Sequence, residues 1–201
     1  MTAVTPKTRQ TRPKRPRTRA ASPAPELPAL PSGVPAWPAT PWFFRQAEQR
    51  GISPEALLDV LLNRPTTVAV ATASGRTEQV PWTPGTRMRD GRPGPAPDTP
   101  VIVVGKMPGR VEAAELRNFH GAVGETLNLA LEKAGLDGSD WYACSAVRFT
   151  PPDEGALKAA HVRDCCFLLG HDLDRIRPRA VLLLGADAVR AACGKGAQVT
   201  A

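Results

Sequence analysis

The residues of this 201-residue chain best suited to chemistry fall into a few short stretches. Gly105-Lys106-Met107-Pro108-Gly109-Arg110-Val111-Glu112 sets a cation and a carboxylate on a segment bracketed by glycines. Glycine lets backbone amides approach a ligand closely, and proline stiffens the turn between. The stretch lacks the Gly-Lys-Ser/Thr ending of a phosphate loop, which argues against a nucleotide-binding domain of that kind. Taken singly, its residues have plain structural readings: Gly105 and Gly109 shape a turn, and Glu112 complements a helix dipole. Phe119 is likewise an ordinary core aromatic when read alone. A second set is His161, Cys165, Cys166 and His171. His161 and Cys165 stand one helical turn apart, so a zinc site is conceivable; adjacent cysteines point to different helix faces, which favours core thiols. A third set is Lys7, Arg9, Arg12, Lys14, Arg15, Arg17 and Arg19, within a first twenty residues that hold no acid. Such a run suits a phosphate backbone, releasing counterions as it binds, or serves as a solvated tail.

The elements that must position these residues follow from composition and periodicity. Lys and Arg number 26 and Asp and Glu 19, for a net charge of +7. The seven basic residues of the tail account for all of that excess. Residues 1–39 carry nine prolines and read as a disordered basic tail. Residues 40–100 read as two short helices, a β-hairpin and a Pro/Gly-rich linker. Thr40-Pro41 and Ser53-Pro54 are helix starts, and Leu57, Leu58, Leu61 and Leu62 form one apolar face. This helical pair is read as a packing element in preference to a DNA-binding helix-turn-helix. The hairpin spans 66–72 and 77–80, and residues 83–100 form a linker or long surface loop.

From Val101 onward, strands at 101–104, 141–147 and 180–184 alternate with helices at 124–134, 156–176 and 186–193. That alternation predicts an α/β domain over 101–201, with a short parallel sheet covered by helices on both faces. In such sheets ligands bind beyond the carboxyl ends of the strands, so the loops after Val104, Val147 and Leu184 are the place to seek chemistry. The third strand would leave an edge needing cover from a partner, from the hairpin or from further chain. No run of 18 apolar residues exists to span a membrane, and the N-terminus lacks the apolar core of a secretory signal. Four cysteines without framework spacing suit reduced thiols in the cytoplasm, in a bacterial or phage-infected cell, with a nuclear location left open.

Several of these segments in register resemble the uracil-DNA glycosylase superfamily, nearest its iron–sulfur branch, family 4. Gly105–Glu112 is similar to that family's Gly-Glu-Ala-Pro-Gly-x-x-Glu loop. Phe119-His120-Gly121-Ala122-Val123-Gly124 is similar to Phe-Val-Gly-x-x-Gly, and Ser145–Pro152 to Asn-Val-Val-Lys-Cys-Arg-Pro-Pro. Arg177–Ala186 matches the passage into a later strand. The resemblance covers about residues 101–194 and implies a three-layer α/β sandwich, incomplete at the C-terminus because the His-Pro-Ser motif would follow a fourth strand. It implies DNA, single- or double-stranded and containing uracil, as partner. Phe119 would stack on a flipped base; Gly105, Met107, Pro108, Gly109 and Ser145 would line the base pocket; Glu112 is the candidate catalytic acid.

The departures bear on activity. Lys106 replaces the family acid after the first glycine; a protonated lysine cannot position water as a carboxylate does, though it can bind phosphate. Ser145 replaces the base-reading asparagine, exchanging a paired donor and acceptor for one hydroxyl. Of the family's four cluster cysteines only Cys165 falls in place: no cysteine precedes Cys144, and Phe149 stands where the third motif has its ligand. No metal or cofactor is therefore expected. Two functional readings follow. One is a glycosylase hydrolysing the N-glycosidic bond of uracil or a damaged base. The other is an inactive glycosylase-like module that binds DNA beside a DNA polymerase, including a viral one, or another replication protein.

Overall fold

The computed structural model describes residues 39–194, apart from 73, 96, 98 and 153–156. The basic tail, with Lys7, Arg9, Arg12, Lys14, Arg15, Arg17 and Arg19, lies outside the described residues. Helices α1 (Pro41–Arg50) and α2 (Pro54–Asn63) start as expected, with the Thr40 and Ser53 hydroxyls accepting from the Phe43 and Ala56 amides. Gly51 ends α1 at φ 62°. Strands β1 (Thr66–Ala71) and β2 (Thr77–Trp82) pair antiparallel as a separate two-stranded sheet.

The main sheet contains β3 (Thr86–Arg87), β4 (Val101–Gly105), β5 (Trp141–Ser145) and β6 (Ala180–Leu183), in the order β3-β5-β4-β6. The β5-β4-β6 pairings are parallel, as the strand–helix alternation predicts. The expected linker over 83–100 is different: it supplies β3, antiparallel to β5. The reason lies in β5, which is buried along its whole length and whose outer ladder groups require a partner. Thr83 and Thr86 are accordingly buried in a segment whose prolines suggested a surface loop. The strand expected to reach Val147 leaves the ladder after Ser145. A short helix, α3 (Arg110–Glu115), follows β4 and has Glu112 in its first turn. Three further helices complete the described chain: α4 (Ala122–Lys133), α5 (Ala159–Ile176) and α6 (Ala186–Cys193).

Three layers result. One face of the sheet packs Val103, Trp141 and Ala143 against Leu131 of α4. The other face packs Ile102, Val104, Tyr142 and Cys144 into a larger core with α5, α6, α1, α2 and the inner side of the hairpin. Within it Trp42, Trp82 and Phe149 stack at centroid separations of 6.0 to 6.5 Å, and His161 meets Phe149 edge-on at 5.4 Å. Strand β6 lies at the edge of the sheet, with Val181 and Leu182 exposed. The hairpin does not extend that edge.

One ion pair lies wholly inside. The Arg148 guanidinium donates to Asp172 of α5, and Tyr142 Oη donates to the other carboxylate oxygen at 3.2 Å. Arg148 and Asp172 are 1% and 0% exposed. Burial opposes the guanidinium's charge, but its neighbours, Asp172 foremost with Tyr142 and Cys144, together hold its pKa above the ordinary value. Removing one member of such a pair leaves an uncompensated buried charge.

Two predictions arise. Asp172→Asn should cost about 3–5 kcal/mol in urea denaturation, whereas a cost below about 1 kcal/mol would contradict the pair's burial. Burial pushes the Cys144 and Cys165 thiols up to about 12, and Cys193 is exposed. An aromatic disulfide reagent at neutral pH should therefore titrate Cys193 at once, and Cys144 and Cys165 only after denaturation. Four fast thiols in the native protein would contradict this packing.

Candidate active site

A cavity of about 450 Å³ opens at the carboxyl ends of β4 and β5. Gly105 and Ser145 are register partners at the last rung of those two strands, so they meet at its base. The backbone beyond them stays joined: the Ala146 and Val147 amides donate to the Gly105 and Lys106 carbonyls at 2.8 and 3.0 Å. The Thr150 hydroxyl pins the next turn by donating to the Pro108 carbonyl at 2.8 Å. Gly105, Lys106, Met107, Pro108, Gly109, Glu112, Phe119 and Ser145 all line this one cavity. Lys106 is exposed at its rim, and Met107 is half-buried against the larger core.

Phe119 enters from the α3–α4 connection at φ 52°, a left-handed conformation that costs a bulky residue about 1–3 kcal/mol. Its ring leans on Gly105, where a Cβ would lie only 2.9 Å from Cζ. It also meets Trp141, tilted at a centroid distance of 6.3 Å. The turn is held from below, because α4 approaches so closely that a Cβ on Gly124 would fall 1.9 Å from the Phe119 carbonyl oxygen. The ring is thus fixed over the end of β4 by backbone constraints on both sides.

Glu112 has a structural engagement of its own. Its Oε1 accepts from the Gly121 amide at 3.1 Å, at the N-cap of α4, which satisfies an orphan donor and places negative charge at the positive helix end. The helix-dipole reading is realised, although across to α4 instead of within its own helix. Oε2 faces Gly109, where a Cβ would come within 2.6 Å. One carboxylate oxygen therefore ties two cavity-lining segments together, and the other lies beside the loop.

The sequence reading missed Asn118. Only 2% exposed, it lines the cavity beside Ser145, whose hydroxyl donates to Asn118 Oδ1 at 3.1 Å. Its amide nitrogen donates to the Pro84 carbonyl at 2.7 Å and to Thr86 Oγ1 at 3.1 Å. The signal available was an amide residue immediately before the motif phenylalanine; its partners in 84–86 belong to the segment read as linker.

The thiols and imidazoles do not fit an iron–sulfur or zinc centre. Cys144 and Cys165 are buried in the larger core, Cys166 donates to the Arg163 carbonyl, and Cys193 is exposed on α6. The Phe149 position is filled by aromatic packing. Among the described residues no group of three or more His, Cys, Asp or Glu is placed to hold a metal ion. His161 Nδ1 faces the Lys158 amide, and burial, then the Lys158 charge, lowers its pKa. Among the described residues no helix is long and apolar enough to cross a membrane.

Glu112→Ala should cost about 1 kcal/mol of stability in urea denaturation by leaving the Gly121 amide unpaired. Glu112→Gln keeps an acceptor there and should stay within about 0.5 kcal/mol of the unaltered chain. Equal losses in both variants would contradict the capping role.

Comparison with known proteins gives the family. The family model described as "Uracil DNA glycosylase superfamily" matches residues 93–200. Two curated relatives, each named "Type-4 uracil-DNA glycosylase", come from Pyrobaculum aerophilum and Archaeoglobus fulgidus. They are 31% and 32% identical to the chain over 85 residues. Each alignment covers 42% of this chain and 43% of the relative, so the chain matches less than half the relatives' length.

Proposed function

The chain belongs to the uracil DNA glycosylase superfamily, and on that premise we propose that it hydrolyses the N-glycosidic bond of a uracil or damaged base flipped out of DNA. The observation that carries this reading is the convergence of the Gly105–Gly109 turn, Phe119 and Ser145 on one cavity at the ends of β4 and β5. Its volume lies in the range of small-molecule sites. A base must leave the stack to reach it, and stacking on the fixed Phe119 ring would return about 1–3 kcal/mol of the unpairing cost.

The chemistry asks little more of the site. As the C1′–N bond breaks, its electron pair leaves on the base and positive charge grows on the sugar. Amides of the strand-end turn are suited to meet charge developing on a base oxygen. Glu112 Oε2 is suited to oppose the sugar's charge and to accept the proton as water adds at C1′. Lys106, exposed at the rim, suits an adjacent phosphate. A second reading, a DNA-binding module without turnover, draws on the commitment of Glu112 Oε1 to Gly121 and on Lys106 standing at the family acid's position.

Alkali cleavage of a labelled single-stranded uracil oligonucleotide tests the first reading. Turnover is expected, with a fall of at least about 100-fold in Glu112→Gln, the lower range for loss of a general acid or base. Salt-sensitive binding without turnover would favour the second. Deleting residues 1–20, with their seven basic side chains, should flatten the log–log salt dependence of duplex binding by as much as about 6. An unchanged slope would remove the tail from the interface.

A further inference from the structure

The floor of the cavity has a hydrogen-bonding polarity that can be counted. Pro84 offers only a carbonyl oxygen, so the Asn118 side chain must turn its nitrogen toward it; the flipped amide would set oxygen against oxygen. Thr86 Oγ1 takes the second hydrogen of that nitrogen and also accepts from the Asn118 backbone amide. Both amide hydrogens are therefore used. Ser145 spends its hydroxyl hydrogen on Asn118 Oδ1, leaving its own lone pairs and the second lone pair of Oδ1. What the Asn118–Ser145 pair can offer a ligand is acceptors only.

We infer that Asn118 is the specificity-determining residue of this pocket, its Oδ1 accepting from a ring N–H of the bound base. The inference rests on the glycosylase reading and refines it. An amide at the Ser145 position could present both a donor and an acceptor. Here the amide has a different origin, the α3–α4 connection, and its donor end is consumed by the 84–86 segment. The class selected is a lactam or imide base that carries a ring N–H, as uracil does at N3. A base with a lone pair at that ring position sets acceptor against acceptor and is rejected. Pro84 and Thr86 are positioning residues: they fix which end of the amide faces the ligand.

Ligand variation on the unaltered chain provides the test, since Asn118→Ala strips Pro84 and Thr86 of a buried donor and can weaken the fold. Fluorescence anisotropy would compare oligonucleotides holding 2′-fluoro-2′-deoxyuridine with the 2-pyrimidinone counterpart, whose N3 carries a lone pair and no hydrogen. The pyrimidinone ligand should bind about tenfold more weakly, a difference of about 1.4 kcal/mol. Ser145→Ala should keep that preference, and Asn118→Ala, where it folds, should abolish it. Phe119→Ala separates the two levels of failure. Phe119-dependent binding with equal affinity for both ligands, or a preference lost with Ser145 and kept without Asn118, overturns the inference alone. Binding indifferent to Phe119 overturns the pocket assignment and the inference with it.

Discussion

The buried pairing of Arg148 with Asp172 and Tyr142 is the constraint from which the rest of the site can be traced. A guanidinium and a carboxylate without solvent must keep each other, so the turn after β5 is bound to α5. Tyr142 reaches Asp172 by passing under Gly85, where a Cβ would collide with its hydroxyl at 1.7 Å. Glycine is required there by close approach alone. The Arg148 carbonyl meanwhile accepts from the Thr83 amide at 2.8 Å. Residues 83–86 are thus held from two sides by the same pair. From that fixed segment, Pro84 and Thr86 orient Asn118, and Asn118 receives Ser145 at the end of β5. A continuous set of hydrogen bonds runs from an ion pair in the core to the floor of the cavity.

The strand–helix alternation after Val101 was legible because it rests on local signals: apolar runs stopped by glycine, and helices with an apolar side. The helix starts at Thr40 and Ser53 were legible for the same reason. The convergence of Gly105, Phe119 and Ser145 was visible only through the family resemblance, since Phe119 read alone is an ordinary core aromatic. The role of residues 83–100 was not. Five prolines and three glycines look like a linker, and only the need of a fully buried β5 for a ladder partner turns Thr86–Arg87 into a strand. Asn118 was missed for a related reason, since its partners lie more than thirty residues upstream.

Glu112 and Phe149 show how one position can satisfy packing and chemistry at once. Glu112 caps α4 with one oxygen, so an acceptor has structural use there whether or not the other oxygen meets a substrate. Phe149, at the position where the family resemblance expects a metal ligand, joins Trp42 and Trp82. Those rings come from α1, the end of β2 and the loop after β5. Aromatic stacking of this kind contributes about 0.5–1.5 kcal/mol per pair beyond burial.

The central claim is that the cavity between Phe119 and the Gly105–Gly109 turn receives a base extruded from DNA. A crystal structure of the full chain with an oligonucleotide containing 2′-fluoro-2′-deoxyuridine, which resists cleavage, tests it most directly. The account predicts the uracil ring stacked on Phe119, with N3 within hydrogen-bond distance of Asn118 Oδ1 and the flanking phosphate near Lys106. A base left in its stack, or a strand bound away from the ends of β4 and β5, would contradict it.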